Sequence, residues 1–183
     1  MDNQVPSDTE LLELARQFDH PALARIYDTY SPGLYRYAMQ RLSNQDLAEE
    51  CVAETFSRFL QALRAKRGPE NFLQAYLYRM AHNWIVDHYR REPMQPRELT
   101  EEHRDENANP EVDTSRHLRQ EGMRRALGKL TPDQQQVIVL KYLEGWQNEE
   151  IARSLKKPVG AIKSLQHRAL ASLEKILNRE ELL

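Results

Sequence analysis

The chain has 183 residues, with 26 Lys and Arg against 28 Asp and Glu, a net charge of −2, six glycines, nine prolines and one cysteine. An apolar share of 40% is slightly below that of most globular chains, so the expected core is modest and divided, in one domain or two small ones. A lone Cys51 excludes an intramolecular disulfide, a zinc ribbon and a CxxC redox pair. With no aliphatic run longer than Val137 to Leu140 and an acidic, polar start, it points to a cytoplasmic protein that neither spans a membrane nor is secreted.

In chain order, Ser7-Asp8-Thr9-Glu10 reads as a capping box, followed by a short helix to about Phe18. Pro21 and Pro32 read as first-turn prolines, the second behind a Ser31 cap. Ser43 and Asp46 open a helix to about Arg64, in which Leu47/Ala48, Val52, Phe56, Phe59/Leu60 and Leu63 recur at helical spacing. The next helix spans about Asn71 to Arg91, with Leu73, Leu77, Met80/Ala81, Trp84/Ile85 and His88 on its inner face. Residues 93–116 carry three prolines, no aromatic group and seven acids against three bases. Such a segment lacks the apolar surface to offset ordering and reads as a flexible acidic linker that can hold two modules far apart, up to about 80 Å when extended.

Beyond it, Thr131-Pro132 starts a helix bearing Val137, Ile138, Leu140 and Leu143, and Gly145 ends it. Asn148 caps the short helix NEEIARSL, Lys156-Lys157-Pro158 makes a turn, and a longer helix runs from about Val159 to Leu177. No stretch alternates with period two. The fold class is therefore all-α: a four-helix module over 1–92, the linker 93–116, and a second small helical module over 117–183.

Short helix, tight turn and longer helix form a helix-turn-helix unit, with Ile151, Ala152, Leu155, Val159, Ile162 and Leu165 at the crossing. Its outward residues Lys163, Ser164, Gln166, His167 and Arg168 suit a helix laid in a major groove, with Lys156 and Lys157 available to phosphates. Lys156 stands where such turns favour glycine, at a cost if its φ is positive. Two further polar faces stand out. Asp46, Glu49, Glu50 and Glu54 lie opposite an apolar stripe, and Arg79, Asn83, Asp87 and Arg90/Arg91 line one side of the fourth helix, with Asp87 one turn before Arg91. Taken singly, each is equally a solvated face or a surface ion-pair ladder. The six histidines form no metal-ligand pair, His103-Arg104-Asp105 is a chance match to a kinase loop, and no catalytic triad exists. No cofactor, metal or enzyme activity is expected.

Two longer stretches carry a resemblance. DLAEECVAETFSRFLQA (Asp46 to Ala62) with NFLQAYLYRMAHNWIVDHYRR (Asn71 to Arg91) resembles region 2 of the extracytoplasmic-function (ECF) sigma factors of bacterial RNA polymerase. LTPDQQQVIVLKYLEGWQNEEIARSLKKPVGAIKSLQHRAL (Leu130 to Leu170) resembles their region 4, in the family's order. The resemblance implies a subunit that binds core RNA polymerase and promoter DNA. The acidic helix (Asp46, Glu49, Glu50, Glu54 and Arg58) would meet the clamp helices of the largest subunit, and the second module the flap of the second-largest. Ala53 departs from the glutamine common there. The resemblance also implies that Arg79 and Asn83 read the −10 element, with Phe72 and the loop before it taking a flipped base. Lys66, Arg67, Arg90 and Arg91 would hold the strand, and Lys156, Lys157, Lys163, Ser164, Gln166, His167 and Arg168 would contact the −35 element. Many relatives have an anti-sigma partner.

The alternatives are a self-sufficient helix-turn-helix regulator and a non-DNA adaptor using the acidic helix. The three segments carry −2, −4 and +4, so the near-neutral total conceals a basic reader, and a weak net field suits a subunit that binds DNA poorly alone.

Overall fold

The computed structural model describes residues 7–91, 122–123 and 125–180, and all regular structure among them is helical. The linker 93–116 and both module boundaries lie outside the described residues. Helix α1 spans Asp8–Arg16 and opens with the expected capping box: Ser7 accepts from the Glu10 amide while the Glu10 carboxylate accepts from the Ser7 amide at 2.7 Å. Helices α2 (His20–Leu42), α3 (Gln45–Arg64) and α4 (Leu73–Arg91) complete the first bundle.

Two expected starts are different. Pro32 does not begin a helix but sits inside α2, which is capped by Asp19 through the Ala22 amide at 2.9 Å. An interior proline costs about 3 kcal/mol, but Ile26, Tyr30, Leu34, Tyr37 and Ala38 lie on one continuous buried face across it. At about 1.5–3 kcal/mol for each large side chain, that burial outweighs the break. Ser43 is likewise not the cap of α3. It takes the left-handed conformation that ends α2 (φ 50°), and Asn44 caps α3 by accepting from Leu47 N at 2.9 Å. The periodic residues of α3 and α4 do face inward, with Val52, Phe59, Leu63, Leu73, Leu77, Ala81 and Ile85 all buried. Cys51 is buried with them, its Sγ toward the Ala81 carbonyl.

In the second half, α5 (Pro132–Ile138) is capped by Thr131 and continues into a π-helical turn, Val139–Leu143. The wider turn changes the helical register. Leu143, expected in the core, is consequently 50% exposed, while the next residue, Glu144, is turned inward. Gly145 ends the segment at φ 73°. Helix α6 (Asn148–Leu155) is capped by Gln147 rather than Asn148, and the Glu150 carboxylate accepts from the Gln147 amide at 2.6 Å. Helix α7 runs Val159–Glu180.

The main core is not divided. One apolar cluster runs from Leu11 through the first bundle and takes in Val137, Val139, Leu140, Trp146, Ile151, Ala152 and Ile162. A smaller one joins Ala126, Leu127, Leu130 and Ile138 to Ala169 and Leu173 of α7. Composition fixes how much apolar surface exists, not whether two modules share it; here α4 packs on α3 with one face and on α6 with another.

Candidate nucleic-acid interface

The loop between α3 and α4 is held in an unusual backbone. Lys66 and Phe72 both have positive φ, 54° and 52°, a conformation costly for side-chain-bearing residues and for an aromatic one especially. Several contacts hold it. Arg16 Nη2 donates to the Pro69 carbonyl at 2.7 Å, and Gly68 lies so close to Leu63 that a Cβ there would come within 2.7 Å of its Cδ2. Under the loop is a depression of about 350 Å³ lined by Arg16, Leu63, Lys66, Gly68 and Glu70. Lys66 and the neighbouring Arg67 are exposed, and Phe72 is 51% exposed.

From there α4 presents a polar stripe. Arg79 lies 5.3 Å over the Tyr76 ring, which meets Phe59 edge-on, so Tyr76 is a half-buried support for Arg79 rather than a free stacking platform. Asn83, Arg90 and Arg91 are exposed. Asp87 pairs with Arg90 at 3.7 Å instead of the expected Arg91, which leaves Arg91 at the helix end. Trp84 is buried and stacked on His88, a packing residue. On α3, Asp46, Glu49 and Glu50 are exposed on one face with the half-buried Glu54, whose carboxylate pairs with Arg58 at 2.7 Å.

The helix-turn-helix unit forms as its spacing implied. Ile151 and Ile162 are fully buried at the crossing, with Ala152 nearly so. Lys156 occupies the turn in left-handed geometry, φ 53°, at the position glycine would fill most easily. Lys156, Lys163, Ser164, His167 and Arg168 are exposed. The other two candidates are partly engaged: Gln166 donates to the Tyr142 hydroxyl at 2.9 Å, and Lys157 turns back to Asp133 at 3.2 Å.

What the sequence did not disclose is that these surfaces meet. The Arg153 guanidinium of α6 lies 4.4 Å over the Phe72 ring, and Ser154 Oγ donates to the Ala75 carbonyl of α4 at 3.2 Å. Tyr78 of α4 packs against Trp146 with the rings tilted and their centroids 4.8 Å apart, and donates to Glu144 at 3.3 Å, and Arg36 stands 3.7 Å from the same carboxylate. Burial and the Glu144 charge hold the Tyr78 hydroxyl protonated, above the usual tyrosine range. Beneath this contact Arg41 is buried, donating to the Tyr37 hydroxyl at 2.7 Å and lying 3.0 Å from His82 Nδ1. Burial, then the Arg41 charge, pushes His82 down to about 3, with Asp133 opposing and Lys157 reinforcing.

Two family profiles match the chain: sigma-70 region 2 over residues 26–93 and sigma-70 region 4 over residues 120–173. The RNA polymerase sigma-E factor of Streptomyces antibioticus is 31% identical over 138 residues, covering 75% of this chain and 72% of that protein. The chain belongs to the ECF sigma factors of the sigma-70 family. The ECF sigma factor BldN of Streptomyces coelicolor is 33% identical over 171 residues, which takes in 92% of this sigma factor and 65% of BldN. The fold matches that of CnrH, solved in complex with the cytosolic domain of CnrY, with a TM-score of 0.72 over 94% of this chain and 97% of that one at 23% identity. The family is one of transcription regulators, and among the described residues no helix is long and apolar enough to cross a membrane.

Proposed function

We propose that this sigma factor binds core RNA polymerase and directs initiation at promoters read through a −10 and a −35 element, acting in the cytoplasm where the polymerase works. The observation that carries the reading is a single chain in which a strained loop opens onto the polar stripe of α4, followed by a helix-turn-helix with an exposed cationic second helix. Strained backbone is maintained only where surrounding contacts enforce it, and it concentrates at functional sites. Phe72 and Asn83 would supply an aromatic wall and a side-chain amide for an unstacked base, with Arg79 alongside and Lys66, Arg67, Arg90 and Arg91 on the strand backbone. Lys163, Ser164, His167 and Arg168 would face the duplex groove, with Gln166 reaching it on release from Tyr142. Lys156 and Lys157 would contact phosphates, the second after leaving Asp133.

Asp46, Glu49, Glu50, Glu54 and Arg58 form the proposed contact with the polymerase clamp helices, and the second module would meet the flap. The modules divide as 1–92 and 117–183. A fold neighbour, the sigma factor RpoE of Bartonella quintana solved in complex with the anti-sigma factor NepR, supports an anti-sigma partner for this chain as well.

Run-off transcription with purified core enzyme tests the reading. Asn83→Ala and Arg79→Ala are expected to impair promoter opening while leaving core binding intact. Binding to specific duplex without polymerase, or indifference to charge reversal at Lys163 and Arg168, would favour the self-sufficient regulator or the adaptor respectively.

A further inference from the structure

We propose that Arg16, the last residue of α1, is a positioning residue for base selection. It splints the loop between α3 and α4, and through that loop sets how sharply Phe72 and Asn83 distinguish one unstacked base from another. The inference deepens the −10 reading above and rests on it.

The two ends of the loop are tied to the helices they leave. The Lys66 amide donates to the Leu63 carbonyl at 3.0 Å and the Arg67 amide to the Ala62 carbonyl at 2.9 Å, while the Tyr76 amide donates to the Phe72 carbonyl at 3.0 Å. Both ends pass through positive φ, at Lys66 and Phe72, a backbone that persists only where its surroundings enforce it. The middle is held from outside. Arg16 Nη2 donates to the carbonyl of the buried Pro69 at 2.7 Å, from 53 residues earlier in the chain. A guanidinium on a carbonyl is a charge-assisted bond, stronger than a neutral one. On the other side Gly68 sits against Leu63 with no room for a Cβ, which would lie 2.7 Å from Cδ2. A second contact joins the same two elements, with the Arg64 guanidinium at the end of α3 lying 5.7 Å over the Phe18 ring.

Helix α1 is anchored well enough to serve. Its first turn is capped by Ser7, the Tyr30 hydroxyl of α2 donates to the Asp8 carboxylate at 2.7 Å, and Leu11, Leu12 and Ala15 are buried. It precedes the region 2 match, which begins at residue 26, so the splint is supplied from outside the matched segment. Its effect falls on selectivity because the correct base depends on exact donor and acceptor placement, and an incorrect base already lacks it. A loosened loop therefore costs the correct base more.

The test uses the full chain as wild type, Arg16→Ala, Arg16→Lys, which keeps a cationic donor, and Gly68→Ala, which displaces the loop from the Leu63 side with Arg16 intact. In the free protein, amide exchange over residues 66–72 should be about 10-fold faster in Arg16→Ala and largely restored in Arg16→Lys. With core polymerase, initiation is scored on a promoter library randomised across the −10 element. Arg16→Ala should relax the preference about 3- to 10-fold at one position, with the other positions and core binding unchanged. Arg16→Lys should recover that preference, and Gly68→Ala should relax the same position. Unchanged exchange or unchanged preference overturns the splint. So does a uniform loss across all −10 sequences with a shallower salt dependence, which would mark Arg16 as a phosphate contact. If Arg16→Ala does not fold, Arg16→Lys and Gly68→Ala decide: wild-type selectivity in Gly68→Ala overturns the splint. A wild-type holoenzyme with no preference at any −10 position overturns the promoter reading instead, and exchange over the loop still decides whether Arg16 holds it.

Discussion

Lowering the pH should destabilise this protein through His82. The imidazole is 8% exposed, 3.0 Å from the buried Arg41 guanidinium and 3.9 Å from Asp133. Its folded-state value, about 3, lies below the ordinary 6.5, so the unfolded chain binds the extra proton first as pH falls. Stability from the neutral ring is complete above about pH 6.5 and is lost progressively as pH drops from there toward 3. At pH 5 the loss from this one group is about 2 kcal/mol. Urea unfolding at pH 7.5 and pH 5, for wild type and His82→Gln, isolates the contribution. The glutamine removes the titration while keeping an acceptor for Arg41, and the carboxylates titrate alike in both proteins. Wild type should lose about 2 kcal/mol more than the variant over that interval. Equal losses would show that the Arg41 charge and the burial above His82 do not keep the ring neutral.

Three further outcomes follow from local geometry. Asn44→Ala removes the α3 cap to the Leu47 amide and should cost about 1 kcal/mol, read as a lower thermal midpoint. Lys156→Gly relieves the left-handed turn at φ 53° and should raise stability by up to about 1 kcal/mol. The same change should weaken promoter binding in a filter or gel-shift assay with polymerase, because a phosphate contact is lost. Lys163→Glu and Arg168→Glu should each reduce the salt dependence of −35 duplex binding by holoenzyme, by about one unit of log–log slope where the lost contact is to a phosphate. Fluorescence anisotropy across a salt series reads this directly.

The all-α class, the capping boxes at Ser7 and Thr131 and the inward stripes of α3 and α4 were legible because each depends on local chemistry: a side chain near its own backbone, or a repeat of three and four. The structure departs from local preference where a longer-range contact competes with it. Pro32 carries a local stop signal, but the apolar face continuous from Ile26 to Ala38 runs through it. Ser43 and Asn44 are both good caps, and only the end of α2 decides which serves α3. Leu143 fits the helical repeat until a π-helical turn changes the register. At the candidate site, the exposure of Lys163, Arg168 and Asn83 was readable from position on a helix. The meeting of Arg153 with Phe72 was not, because the two are far apart in sequence and neither carries a local sign of the other. The partial engagement of Lys157 by Asp133 was hidden for the same reason.

The position of Cys51 limits what this protein can perceive unaided. Its burial pushes the thiol up to about 12, overriding the smaller opposing influence of the Thr55 hydroxyl. Thiolate is the form that peroxides and electrophiles attack, so burial leaves Cys51 a poorly reactive thiol at neutral pH. Redox sensing through a cysteine would therefore fall to a partner's thiol and not to Cys51.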